Sequence, residues 1–173
     1  TALADGGVEL DMVVYPSWVK SGRWDDVTTD IEAVRAPTHA AGAKLKVIFE
    51  TCQLTDAEIE RLCQICSSLR VDWVKTSTGF GSHGATEAHV ALMRRSCPDS
   101  VQIKASGGLR SLDDVLRMRE LGCTRCGASG TAAIMREAHA RLGCHRRRRP
   151  RNAHAHLSDW NLTGTRARQA ASG

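Results

Sequence analysis

Short apolar runs and longer amphipathic segments alternate along most of this chain. The apolar runs occupy residues 8–15, 45–51, 71–77, 101–106 and 123–129. The amphipathic segments, with apolar residues spaced as on one face of a helix, occupy residues 24–41, 55–69, 85–96, 111–121 and 130–142. Strands that alternate with helices are typical of parallel sheets, because parallel neighbours need a long crossover connection. The pattern therefore predicts an α/β fold with five strand–helix units.

Two of the predicted helices carry clear start signals. Thr55 is followed three residues later by Glu58, and Ser111 is followed at the same distance by Asp114. A hydroxyl residue and an acid at this spacing resemble a capping box, in which each side chain bonds the backbone of the other residue. Pro37 lies inside the first predicted helix and predicts a bend or an early end there.

Polar residues gather where the predicted strands end. Asp11 lies in the first run, Glu50 ends the second, and polar or glycine-rich segments at residues 75–79, 104–108 and 127–130 end the other three. An open doubly wound sheet and a closed barrel both place their functional loops at the carboxyl ends of parallel strands. A functional site is therefore expected at this edge of either fold. The first strand lacks a following GxGxxG, which argues against a dinucleotide-binding fold.

Lys75 stands in the middle of a strand-like run. Strand alternation places it on the same face as Val71, Trp73 and Ser77. A lysine that ends a strand commonly extends to water, but a face shared with tryptophan is not expected to be plain solvent. The hydroxyl and glycine residues at 76–79 are the chemistry of a loop that receives an anion or a sugar.

The net charge is distributed unevenly. The chain of 173 residues has a formal net charge of +5. From His145 onward seven arginines face one acid, Asp159, which gives +6, so the rest of the chain carries 5 − 6 = −1. We therefore predict a folded domain at residues 1–143 and a basic, disordered tail at residues 144–173. An arginine run is more often a solvated terminus than a nucleic-acid site, so nucleic acid is not an expected partner.

The seven cysteines and the absence of a long apolar run bear on location. We predict a cytoplasmic protein with free thiols and no membrane association. Cys63 and Cys66 form one CxxC pair, and Cys123 and Cys126 form another. A zinc site built from both is not expected, because the first pair falls on a helical pattern and the second on a strand. The prediction is that the chain binds no metal.

Four motifs together resemble the deoxyribose-phosphate aldolase family. They are VKTSTGFG, KASGGLRS, ELDMV followed by KSG, and LKVIFETCQLTDAE, and the similarity covers residues 5–138. The resemblance implies a TIM (β/α)8-type barrel, of which the last five strand–helix units are visible. It implies a class I aldolase that reversibly cleaves 2-deoxy-D-ribose 5-phosphate to D-glyceraldehyde 3-phosphate and acetaldehyde, with no cofactor. A small phosphorylated sugar is then the expected partner, and a homodimer remains open.

The resemblance also assigns catalytic roles. Lys75 would form the Schiff base, Lys104 would be the second lysine, and Asp11 would be the acid of a proton relay. The chemistry is consistent, since a lysine attacks a carbonyl only as the neutral amine and a nearby cation favours loss of its proton. The plain alternatives are that Asp11 caps a helix or forms a salt bridge and that Lys104 is an edge-strand lysine.

Glycine-rich turns supply the candidate phosphate site. Backbone amides in such turns, with helix starts behind them, favour an anion. The candidates are Thr78, Gly79, Gly107, Gly108, Gly127 and Ser129. Each glycine taken alone is as readily an ordinary turn residue. Lys46 and Arg110 are further candidates, although Lys46 could pair with Glu50 on the same strand face and Arg110 could form a surface salt bridge.

The chain also departs from the family pattern. Only five of eight units are visible, the final turn reads GASG with one serine where the family usually has two, and the arginine-rich ending is unlike the family's. The alternatives are an inactive barrel fragment or a non-catalytic binding protein whose basic tail binds nucleic acid. Because five units cannot close a barrel, we expect Val71, Trp73 and Ile103 to be partly uncovered and the chain to be weakly stable.

Overall fold

The computed structural model describes residues 2–141, so the predicted tail at residues 144–173 lies outside the described residues. The strands are β1 (Glu9–Val13), β2 (Lys44–Ile48), β3 (Trp73–Lys75), β4 (Gln102–Ser106) and β5 (Arg125–Gly127). The helices are α1 (Pro16–Lys20), α2 (Trp24–Ala40), α3 (Asp56–Ser68), α4 (Glu87–Ser96), α5 (Leu112–Glu120) and α6 (Thr131–Arg141), with a 3-10 turn at Thr51–Gln53.

The five strands form one parallel sheet in the order β1-β2-β3-β4-β5. Each strand pairs with the next strand in the chain, and the order never reverses. A doubly wound sheet reverses its strand order at the ligand-binding crevice, whereas a barrel adds each strand beside the last one. The prediction of an α/β fold with five units of a TIM (β/α)8-type barrel is therefore confirmed.

The apolar core lies between the sheet and the helices. Side chains of alternate strand positions face the helices because successive residues of a strand point to opposite faces. Those on the strands are Leu45, Val47, Val74, Ile103 and Ala105. The helices contribute Val27, Ile31, Ile59, Leu62, Val90 and Met93. The alternation leaves the opposite positions of the same strands free to carry polar side chains on the other face of the sheet.

Trp73 lies on that other face and is 3% exposed. Cationic groups cover its ring, with the Arg125 guanidinium 4.0 Å and the Lys44 ammonium 5.0 Å from the ring centroid. Arg125 on β5 also donates to both carboxylate oxygens of Glu9 on β1 at 2.7 Å, so an ion pair joins the two outer strands.

The expectation that apolar side chains are left partly uncovered is wrong for all three residues. Val71 is 1% exposed and Ile103 is fully buried, and both pack in the core beneath the helices. Trp73 is buried on the opposite face, where the charged groups of Arg125 and Lys44 lie over its ring.

Local signals had mixed success. Both capping boxes form, since Thr55 and Ser111 accept from the backbone three residues on and the acids bond back. Of the two predicted effects of Pro37, the early end is wrong, because α2 continues to Ala40, and the bend stays a prediction. Pro37 lies in the last turn of α2, where the missing N–H removes one bond near a helix end. The short helix α1 was not predicted.

None of the helices in residues 2–141 combines the length and apolar character needed to cross a bilayer.

Candidate active site

A cleft of about 450 Å³ lies at the carboxyl ends of β3, β4 and β5. Nine predicted residues line it: Lys75, Thr78, Gly79, Lys104, Gly107, Gly108, Arg110, Gly127 and Ser129. Three others were not singled out from the sequence, namely Ser106, Leu109 and Ala128. All three lie inside motifs that were recognised, KASGGLRS and GASG, so their position in the motif was the available signal.

Lys75 and Lys104 are direct neighbours across two strands. They are register partners of β3 and β4, and both side chains project to the same face. The Nζ atom of Lys75 lies 3.6 Å from Oδ2 of Asp11, and its side chain is 12% exposed. The sheet thus brings together three residues that are separated by 64 and 29 positions in the chain.

The pKa of Lys104 lies below the ordinary lysine value. Burial is the largest cause, and the ammonium groups of Lys46 and Lys75 add to it, while Asp11 and Glu9 act in the opposite direction. Like charges and desolvation both disfavour the charged form of a lysine. A lysine with a lowered pKa gives up and takes back a proton more readily near neutral pH.

Lys46 lies beneath Asp11 and outside the cleft lining. Its ammonium group donates to Oδ1 of Asp11 at 2.8 Å and also to Oε1 of Glu9. The Lys46 side chain is 3% exposed. The alternative that Lys46 pairs with Glu50 is wrong. The chain leaves strand geometry after Ile48, and Glu50 adopts a left-handed backbone, so the alternation that put the two residues on one face no longer holds.

Glu9 is a residue that the sequence reasoning missed. It precedes Asp11 by two positions on β1, so strand alternation was the signal that could have found it. Burial alone would raise the pKa of Glu9, but hydrogen bonds from Arg125 and Lys46 outweigh it, and the pKa lies below the ordinary value. Glu9 and Asp11 therefore share Lys46 as a common cationic partner.

The turn after β4 approaches the loop after β3 very closely. Gly107 has φ +83, a conformation that side chains disfavour. A Cβ atom on Gly84 would lie 2.2 Å from the carbonyl carbon and oxygen of Gly107. In addition, Ala85 N–H donates to the carbonyl oxygens of Ser106 and Gly107 at 3.1 Å. The two loops that border the cleft are therefore held together through backbone contact.

Arg110 lies at the rim of the cleft, where α5 begins. Its backbone N–H donates to Oδ2 of Asp114 at 2.8 Å, and the N–H of Ser111 donates to the same oxygen at 2.9 Å. The capping box thus orients the start of α5 behind the glycine-rich turn. Arg110 is exposed, and its backbone N–H and, more weakly, its positive charge help to lower the pKa of the Asp114 carboxyl.

The two CxxC pairs lie in different elements. Cys63 and Cys66 are buried on α3, whereas Cys123 precedes β5 and Cys126 lies on it. Burial raises the pKa of Cys126, and it raises that of Cys123 to about 12. Within residues 2–141 no group of three or more His, Cys, Asp or Glu side chains is arranged to hold a metal ion.

Comparison with known proteins identifies the family. The family model for DeoC/LacD family aldolases matches residues 1–141. The chain belongs to the DeoC/LacD family of aldolases. A deoxyribose-phosphate aldolase from Rhodopirellula baltica is 54% identical over 142 residues, which cover 82% of this chain and 59% of that relative. The chain thus spans little more than half the length of this DeoC/LacD relative.

Solved structures agree with this assignment. One from Coccidioides immitis is 42% identical and has a TM-score of 0.74, covering 80% of this chain and 55% of that one. The tetrameric deoxyribose phosphate aldolase from Aeropyrum pernix is 26% identical and has a TM-score of 0.71, covering 80% of this chain and 58% of that one. The DeoC/LacD fold is therefore common to proteins whose sequences differ widely.

Proposed function

We propose that the cleft reversibly cleaves 2-deoxy-D-ribose 5-phosphate to D-glyceraldehyde 3-phosphate and acetaldehyde. The observation that carries the proposal is the pairing of Lys75 with Lys104 across β3 and β4, with Asp11 3.6 Å from the Lys75 ammonium. A lysine nucleophile beside a second lysine and a carboxylate is the set of groups that a class I aldolase uses. The relatives named above carry this activity in their names.

The proposed reaction begins at Lys75. Its neutral amine attacks the C1 aldehyde of the open-chain sugar, and loss of water forms a protonated imine. A base then removes the proton of the C3 hydroxyl, the C2–C3 bond breaks, and its electron pair moves into the imine to give an enamine. Glyceraldehyde 3-phosphate leaves as the new C3 aldehyde. Protonation of the enamine at C2 and hydrolysis of the imine release acetaldehyde and restore Lys75.

Asp11 and Lys104 are the proposed proton carriers. Asp11 is ion-paired through Oδ1 to Lys46, while its Oδ2 atom faces Lys75. The lowered pKa of Lys104 allows this lysine to exchange a proton during turnover. In this assignment Asp11 and Lys104 take the proton from the C3 hydroxyl and return one to the C2 carbon. Neither residue forms a covalent bond to the substrate.

The sugar phosphate is assigned to the glycine-rich side of the cleft. Gly79, Gly107, Gly108 and Gly127 provide backbone there without side chains, Ser129 adds a hydroxyl group, and Thr78 borders the same lining. The starts of α5 and α6 follow these turns directly, and a helix start favours an anion. Arg110 at the rim supplies a cation within the same lining.

The proposal includes a wider setting. An activity of this kind belongs to deoxyribonucleotide breakdown and to carbohydrate degradation. The six cysteines of the described residues are free thiols, as is usual in a cytoplasmic protein. Self-association, with a homodimer as the simplest form, is also part of the proposal, and the Aeropyrum pernix relative is tetrameric.

Borohydride trapping tests the proposal directly. The chain is incubated with acetaldehyde, reduced, and digested for mass spectrometry. We expect a reduced two-carbon adduct on Lys75. The variant Lys75→Arg should give none, because a guanidinium stays protonated and cannot attack a carbonyl. Absence of an adduct on Lys75 in the folded wild-type chain would overturn the proposal.

Lys104→Met is the matched second variant. It removes a proposed proton carrier and keeps the amine of Lys75, so trapping should persist at a reduced rate. Equal and complete loss of trapping in Lys75→Arg and Lys104→Met would contradict the division of roles between the two lysines.

A further inference from the structure

Glu50 is a buried carboxylate placed between β2 and the Lys75 loop. Glu50 follows the end of β2 by two residues, and the residue is 5% exposed. Its backbone has φ 57 and ψ 59, the left-handed region that residues other than glycine seldom adopt. Left-handed backbone and a buried acid are both costly, and costs of this kind concentrate at functional sites. The contacts of the carboxylate indicate what it does.

Both carboxylate oxygens receive hydrogen bonds from the loops around the cleft. Oε2 accepts from the backbone N–H of Thr78 at 3.2 Å and also from the Thr78 hydroxyl. Oε1 accepts from Sγ of Cys52 at 3.6 Å. Thr78 follows Lys75 by three residues and lines the cleft. Glu50 thus joins the end of β2 to the loop that follows Lys75, the proposed nucleophile.

These bonds determine the chemistry that the Thr78 hydroxyl offers. A hydroxyl has one hydrogen to donate and two lone pairs to accept with. The hydrogen is directed to Glu50, and one lone pair accepts from the N–H of Phe80 at 3.1 Å. One lone pair is left over. The Thr78 hydroxyl can therefore accept a hydrogen bond from a ligand in the cleft and cannot donate one.

We infer that Glu50 is a positioning residue that holds Thr78 as a hydrogen-bond acceptor for a hydroxyl group of the substrate. The inference rests on the proposed function and adds a specificity element to it. A phosphorylated sugar with a free hydroxyl donor is accepted at Thr78, whereas a substrate with only acceptor atoms at that position leaves the lone pair unpaired. Two-carbon acetaldehyde has no hydroxyl, so its reaction with Lys75 does not depend on this contact.

The space around the carboxylate supports the assignment independently. A Cβ atom on Gly81 would lie 2.9 Å from Oε1 of Glu50 and 2.5 Å from Sγ of Cys52. The loop therefore packs its backbone directly against the acid, and a glycine is present where that approach requires one. Glu50 therefore packs against Cys52 and Gly81 on one side and binds Thr78 on the other.

The test separates the phosphorylated sugar from acetaldehyde. Borohydride trapping on Lys75 is measured against the concentration of each compound for wild type, Glu50→Met and Glu50→Gln. Methionine keeps the length of the side chain and removes both acceptors. We expect Glu50→Met to raise the half-saturating concentration of 2-deoxyribose 5-phosphate about tenfold, the equivalent of one hydrogen bond. Acetaldehyde trapping should change by less than about twofold.

Glu50→Gln is the rescue variant, because its amide oxygen can still accept both Thr78 hydrogens. It should remain within about threefold of wild type for both compounds. Thr78→Val should match Glu50→Met, Thr78→Ser should resemble wild type, and the double variant Glu50→Met/Thr78→Val should be no weaker than either single variant. Glu120→Gln, an exposed acid on α5, is the control for loss of an acid elsewhere.

The outcomes distinguish the two hypotheses. A wild-type chain without an adduct overturns the proposed function and the inference with it. A wild-type adduct with unchanged half-saturation in Glu50→Met, or with equal loss for both compounds, overturns the inference alone. Should Glu50→Met fail to unfold cooperatively, the comparison of Thr78→Val with Thr78→Ser decides, because equal half-saturation in those two variants overturns the inference as well.

Discussion

The ammonium group of Lys46 lies 2.8 Å from Oδ1 of Asp11. This contact leaves Oδ2 of the same carboxylate facing Lys75 at 3.6 Å. A single buried lysine on β2 thus divides the two oxygens of Asp11 between a structural partner and the proposed nucleophile. Because Lys46 also donates to Glu9, its removal affects two acids of β1 at once.

Replacement of Lys46 by methionine should destabilise the protein moderately. The variant Lys46→Met removes a buried cation, but the Asp11 side chain is 39% exposed and Glu9 keeps its ion pair with Arg125, so solvent screens part of the loss and we expect about 1 to 2 kcal/mol. Lys44→Met is the matched control on the same strand. Lys44 is exposed and contributes a cation–π contact with Trp73 at 5.0 Å, so its loss should cost less than about 1 kcal/mol. Chemical denaturation measures both, and equal losses would show that Lys46 is not the central cation.

The lowered pKa of Lys104 makes stability depend on alkaline pH. In the unfolded chain the amine has its ordinary value of 10.5, and in the folded chain burial, Lys46 and Lys75 lower that pKa. Below the pKa of the folded state the lysine is charged in both states. The buried charge then lowers the free energy of unfolding. Between the two pKa values only the unfolded state keeps the proton, so stability rises with pH.

The variant Lys104→Met removes this cost. Its gain in free energy of unfolding over wild type should be largest near pH 7 and should shrink as the pH approaches 10.5, the ordinary value. Lys20→Met, which replaces an exposed lysine at the end of α1, should show a constant difference across the same range. A gain for Lys104→Met that stays constant with pH would contradict the lowered pKa. Denaturant unfolding curves at several pH values measure both variants.

The contact between Gly84 and Gly107 should be sensitive to a single methyl group. Gly84→Ala places a Cβ atom 2.2 Å from backbone atoms of Gly107, so the two loops must separate. We expect a loss of about 2 kcal/mol, typical of overpacking, and a weaker trapping of 2-deoxyribose 5-phosphate. Gly130→Ala is the control, because its Cβ would meet nothing within 4 Å. Its loss should stay below about 1 kcal/mol, the worth of a glycine at a helix start. Similar losses in thermal unfolding would show that the loop contact does not matter.

Local chemistry explains what could be predicted. The capping boxes at Thr55 and Ser111 and the five strand–helix units depend on residues within a few positions of each other. The nine predicted lining residues of the cleft lie in motifs at strand ends, and parallel strands bring such ends to one edge. By contrast, Pro37 shows that a proline in the last turn of a helix does not have to end that helix.

The sequence by itself determined the α/β class, the strand ends that carry chemistry and the motifs that point to an aldolase. Only the tertiary structure decided that Lys46 supports Asp11, that Glu50 holds Thr78, and that Arg125 covers Trp73. Arg125 also joins Glu9 across 116 positions of the chain. Such pairs depend on strand order and register, which set distances between residues far apart in the chain. Periodicity assigns a residue to a face of its own strand, and the packing of neighbouring strands then determines which partner it meets there.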